Sequence, residues 1–179
     1  MSRIEHVRLM ATYNEWMNSK LYEAAARLPA EVLAADRKAF FGSIIGTLNH
    51  LLNGDLLWLH RFAAHPARYA ALATLPAAAP GELGAVRHPG LASLLDERRR
   101  VDAAILGMAG AIGEADLEHT LTYANSQRVV WERNFFSLLM HFFNHQTHHR
   151  GQVTTLLSLH GVDVGVTDLL ALIPNELQQ

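Results

Sequence analysis

The chain has 179 residues, half of them hydrophobic and 18% charged, with a formal net charge of −2. That length suits one domain over residues 1–179, and that composition excludes a disordered chain. The charge gives no support to nucleic-acid binding: Arg98-Arg99-Arg100 is a basic run, but three adjacent arginines on a helix point in different directions, so it reads as solvated surface. There is no cysteine, which excludes disulfides, Cys-ligated zinc and a thiol nucleophile of the protein's own.

In chain order, residues 3–28 read as a first helix, opened by the capping-box pair Ser2 and Glu5 and stopped by Pro29. The start, from Met1 to His6, has no signal-like apolar stretch. No segment reaches the ~20 apolar residues of a membrane span, so the expected location is the cytoplasm with no membrane partner. Residues 43–63 form a second helix. A Pro-, Gly- and Ala-rich loop follows over residues 64–90, long enough to be a functional segment or a crossover. Residues 91–113 form a third helix, starting near Ser93. Leu121–Tyr123 and Val129–Trp131 flank Ala124-Asn125-Ser126-Gln127 as a small hairpin. Residues 133–160 form a fourth helix with Gly161 as its stop, and Asp168–Ile173 a short tail helix before Pro174. The expectation is all-α: a four-helix bundle with a long crossover between helices 2 and 3 and a small hairpin before helix 4.

The fourth helix carries His141, His145, His148 and His149 within nine residues. At about 100° per residue, Phe135, Leu138, Phe142, Val153 and Leu156 form an apolar stripe. His149 falls in the middle of that stripe and His145 at its edge; His141 and His148 lie further round. His145 and His149, one turn apart, can share a divalent ion, and this placement favours them over His141 with His145. A site needs at least a third ligand. The second helix offers His50, with Gly46, Thr47 and Gly54 leaving room on the same face. Asp55 falls inside that helix's apolar stripe and therefore needs a partner: a ligand histidine's second ring nitrogen, or Arg150.

These segments resemble the DinB-like family, damage-inducible bacterial proteins that include thiol-dependent S-transferases. Tyr13-Asn14-Glu15-Trp16-Met17-Asn18 is similar to the family's first-helix motif. Asn49-His50 through Asp55 and Trp58 resembles its second-helix motif, and Asn144-His145-Gln146-Thr147-His148-His149-Arg150-Gly151-Gln152 its HxxxH motif. Gly161–Gly165 with Asp168-Leu169 resembles its ending. The resemblance implies a bundle of unusual topology, a homodimer, and a metal site formed by His50, His145 and His149; Asp55 and Arg150 are expected to support it from their own placement. It implies zinc or nickel first, with iron and copper also accepted, and a low-molecular-weight thiol joined to an electrophilic small-molecule substrate.

Three histidines leave an open position on a divalent ion, where a thiol or water loses its proton near neutral pH. The first functional expectation is therefore a metal-dependent transferase acting on an external thiol. The others are a non-catalytic metal-binding stress or interaction protein, and a metal-dependent hydrolase. Hydrolysis lacks a paired carboxylate beside the histidines to serve as base. No Glu-x-x-His spacing accompanies them, which argues against di-iron oxygen chemistry.

Overall fold

The computed structural model describes residues 1–76, 79–125 and 127–175. Helix α1 (Arg3–Ala25) opens on a full capping box: Ser2 Oγ accepts from the Glu5 amide at 3.2 Å, and the Glu5 carboxylate accepts from the Ser2 amide at 2.5 Å. It ends three residues earlier than expected. Pro29 then begins a second, short helix, α2 (Ala30–Ala34), which buries Leu33. A proline that cannot continue one helix is well suited to start the next, since its fixed φ matches a first turn and its missing N–H is not needed there.

Helix α3 (Ile44–Phe62), capped by Ser43, is buried on almost every face and is the centre of the fold. Helix α4 (Leu91–Ala111) has Gly90 as its N-cap, so it starts at the expected residue 91 rather than near Ser93 and ends two residues before 113. Helix α5 (Phe135–Ser158) is capped by Asn134, whose side-chain oxygen accepts from the Ser137 amide at 3.1 Å. Gly161, at φ +70°, lets the chain reverse after it. The tail is a 3-10 turn at Leu169–Leu172 with no buried residue, not an α-helix.

The hairpin is an antiparallel ribbon of β1 (Thr120–Ala124) and β2 (Val130–Asn134), with Tyr123 opposite Trp131. Asn125 Oδ1 accepts from the Gln127 and Val129 amides and organises its turn; Ser126, expected in that turn, lies outside the described residues.

Helix α1 packs on α4 and α5, and α3 packs on the same two. Phe62 on α3 meets Phe135 and Phe142 of α5 edge-on, with centroids 5.3 and 5.6 Å apart, the geometry aromatic quadrupoles prefer. Residues 63–90 link α3 to α4. They include a 3-10 turn (Ala70–Thr74) that packs on α4, while Ala77 and Ala78 lie outside the described residues.

A buried polar cluster runs through the middle of this packing. Arg98 on α4 donates to Asp55 of α3 at 2.5 Å and sits 2.9 Å from Asp102 one turn along its own helix. Asp102 accepts from Asn14 and Asn18 of α1 at 3.0 and 2.9 Å. Asp55 also accepts from Gln146 Nε2 of α5 at 2.7 Å, and Arg150 of α5 donates to Asn14. Every long helix contributes.

Three side-chain expectations are corrected by this packing. Arg98 is only 2% exposed, so the arginine run is not all solvated surface; Arg99 and Arg100 are. Asp55 takes Arg98 as its ion-pair partner rather than Arg150. The centre of α5's buried face also differs from the wheel. Gln146 and Arg150 are buried there, while His145 and His149 are half-buried at its margin. A wheel ranked by hydrophobicity cannot place polar groups that find their partners on other helices.

Removing one member of a buried ion pair leaves an uncompensated charge, which costs about 3–5 kcal/mol. Arg98→Met should therefore lower the unfolding free energy in urea by about that much, and Arg99→Met by less than about 0.5 kcal/mol. Equal midpoints for the two variants would contradict the cluster's role.

Candidate metal centre

The site lies where the middle of α3 faces the middle of α5. Gly54 permits the approach: a Cβ built there would come within 3.0 Å of His145 Cε1. Gly46 is required for a different reason, since its Cβ would lie 2.0 Å from the Phe41 carbonyl oxygen. The segment before α3 thus folds back over the helix's first turn and brings the Phe41 ring flat onto His50, with centroids 3.7 Å apart and planes at 15°. The same ring meets His149 edge-on at 5.4 Å.

His50, His145 and His149 converge, with one ring nitrogen from each within 4.8 Å of the others. His50 Nε2 is 3.3 Å from His145 Nε2 and 3.2 Å from His149 Nε2. The opposite nitrogens fix the tautomers. His50 Nδ1 donates to the Leu83 carbonyl at 3.2 Å, and His149 Nδ1 to Gln152 Oε1 at 2.8 Å. Both neutral rings therefore turn a bare Nε2 lone pair to the centre, so their 3.2 Å contact cannot be an ordinary hydrogen bond. A tetrahedral ion with nitrogen ligands at 2.0–2.1 Å holds those ligands about 3.3 Å apart. The spacing and the lone pairs both fit a divalent cation.

The sequence signal missed the parts that set this geometry. Asn49 grips the backbone of His88, donating to its carbonyl and accepting from its amide, both at 2.9 Å. Asn53 donates to the Ala85 carbonyl at 2.9 Å. Together they press the 83–88 segment against α3, which places the Leu83 carbonyl on His50. Two buried asparagines one turn apart, flanking His50, were the available sign, as was Gln152 three residues after His149. Phe41 had no local signal. Among the described residues, neither Asp55 nor Arg150 hydrogen-bonds any of the three histidines. Asp55 reaches the site only through Gln146, the neighbour of His145. His141 is exposed and meets Trp58 edge-on at 5.0 Å, and His148 accepts from Gln152 Nε2 at 3.3 Å.

Burial, and then the charge that His149 would carry, push His50 down to about 4. Burial, followed by His149 and the other histidines, pushes His145 down to about 3. Burial also lowers His149, opposed by the bond to Gln152. All three are neutral at pH 7, the form in which imidazole binds metal.

A mostly helical fold with three convergent histidines defines the class: a protein with a candidate metal site between two long helices. The DinB family model matches residues 1–178, and the chain belongs to that family. A relative, "Protein DinB" of Bacillus subtilis (strain 168), is 26% identical over 157 residues, covering 87% of each chain. No solved structure matches.

If these three rings form the site, replacing His50, His145 or His149 by Ala should each cut zinc content sharply in elemental analysis, and His141→Ala should not. Full occupancy in His149→Ala with loss in His141→Ala would reverse the assignment. The pH response has a definite sign. In the unfolded chain these histidines take up protons near pH 6.5, whereas folded His50 and His145 resist down to about 4 and 3. The metal-free protein should therefore hold its stability above pH 6.5 and lose it as pH falls from there towards 4. His145→Gln should flatten that decline in urea midpoints measured across the window. An unchanged slope would show that His145 is not held neutral by the fold.

Proposed function

We propose that this protein is a metal-dependent transferase that activates a low-molecular-weight thiol for attack on an electrophilic small molecule. The observation that carries the reading is the convergence of three imidazoles, two of which turn a bare Nε2 inward because the Leu83 carbonyl and Gln152 hold their other nitrogens. His50, His145 and His149 would hold the ion, zinc or nickel first and iron or copper as alternatives. Such an ion supplies Lewis acidity, lowering the pKa of a thiol or water at the ligand position that three histidines leave free.

The chain's own residues do the rest. Phe41 covers one side of His50 and His149 and keeps water from that face. The 83–88 segment, held by Asn49 and Asn53, orients His50. With no cysteine in the chain, the thiol comes from outside. Hydrolysis is the weaker use of the same site. It needs a general base, and Asp55, the carboxylate on α3 nearest in sequence to His50, is committed to Arg98 and Gln146. A metal-binding stress protein without turnover is the remaining reading.

The family match over residues 1–178 supports taking residues 1–179 as one domain. Within it, the four long helices read as a bundle with residues 63–90 as the crossover. No helix among the described residues is long and apolar enough to cross a membrane. A cytoplasmic location belongs to this proposal. A homodimer belongs to the same reading.

Cobalt in place of the native ion gives a direct optical test. Adding bacillithiol, mycothiol or glutathione at millimolar concentration should produce a sulfur-to-cobalt charge-transfer band, absent in His149→Ala. No band with any of the three would remove the transferase reading and leave a metal-binding protein without thiol chemistry.

A further inference from the structure

One helical turn from His145, towards the N-terminus of α5, a cavity opens between α3, the ribbon and α5. Its volume is about 200 Å³, and Trp58, Tyr123, Arg133, Ser137 and His141 are among the residues lining it. His141 joins it to the metal centre, its ring 5.0 Å from Trp58 and 6.1 Å from His145. Arg61 is fixed beside this cavity. Its guanidinium lies 4.6 Å from the Trp58 ring centre and 4.7 Å from that of Tyr123, and it donates to the Ala124 carbonyl at 3.1 Å. Arg133 rests on Trp131 at 4.7 Å.

The acidic partners found among the described residues go to Arg3, Lys38, Arg98, Arg99 and Arg100; neither Arg61 nor Arg133 has one. Arg133 lines this cavity with the Ser137 hydroxyl and the His141 imidazole, and Arg61 lies against two of its lining rings as a second guanidinium without an acidic partner, which makes the cavity an anion pocket. Planar guanidinium pairs bidentately with a carboxylate, the smaller of the oxyanions it recognises. Pockets for drug-sized molecules start at about 300 Å³, so this one suits a single short acidic arm.

We propose that this cavity is a carboxylate subsite, taking an acidic arm of the same thiol or substrate whose reacting end meets the three histidines. The proposal rests on the metal-centre reading for its second anchor. It adds a substrate class: molecules carrying a carboxylate on the order of one to two helical turns, roughly 5–10 Å, from the reacting atom.

Two probes of equal length separate the claims: 6-mercaptohexanoate and 6-mercaptohexanol, titrated calorimetrically into the zinc-loaded protein. The acid should bind about tenfold or more tighter than the alcohol, the range expected of hydrogen bonds to a charged group. That preference should shrink to about twofold or less in Arg133→Met and in Arg61→Met, with zinc content unchanged. Arg133 is exposed, so its variant reads the subsite even where Arg61→Met disturbs the ribbon. Equal binding of the two thiols to the native protein overturns the subsite and leaves the thiol reading standing. If neither thiol binds, the thiol reading fails, and hexanoate alone then decides. Saturable calorimetric binding of hexanoate that is lost in Arg133→Met supports the subsite, and no saturable binding overturns it.

Discussion

A single group of buried charges, Asp55 between Arg98 and Gln146, and Asp102 between Arg98 and two asparagines, ties α1, α3, α4 and α5 together. Apolar side chains tolerate sliding, because a leucine packs nearly as well against one neighbour as another. A buried carboxylate does not: displaced by one turn it loses its donors and keeps its desolvation penalty. The cluster therefore acts on specificity more than on net stability. Replacing all of it with well-fitted apolar groups is often close to neutral, whereas breaking one pair is costly.

That constraint reaches the histidines. Asp55 and His50 share α3, while Gln146 and His145 are neighbours on α5. The bond between Asp55 and Gln146 sets how far α5 stands along α3, and that setting brings Nε2 of His50 within 3.3 Å of the α5 rings. Gly54 then allows the helices to close on the His145 ring. The polar core and the candidate metal centre are two sides of one helix–helix contact. Damage to the first is expected to appear at the second as misplaced ligands before it appears as unfolding.

Much of this was legible in the chain because its signals are local. Ser2 with Glu5 before α1 and Gly161 after α5 both act within one turn of the backbone, so they mark helix ends wherever the rest of the chain goes. The spacing of His145 and His149 is equally local. What escaped is non-local. Arg98 looks like its exposed neighbours Arg99 and Arg100, and only the arrival of Asp55 from another helix explains its burial. The break at Ala26, with α2 beyond it, depends on Leu33 finding a place in the core. Phe41 gained its place over His50 because the segment before α3 folds back over Gly46, a contact that no helical period encodes.

The central claim is that three imidazoles, and no carboxylate, bind one divalent ion between α3 and α5. X-ray absorption at the metal edge of the zinc-loaded protein reads the ligand shell itself. The account predicts three imidazole nitrogens at about 2.0–2.1 Å, with the multiple scattering that histidine rings produce, and a light atom completing the shell. A shell made of oxygen ligands, or one with fewer than two histidines, would contradict it.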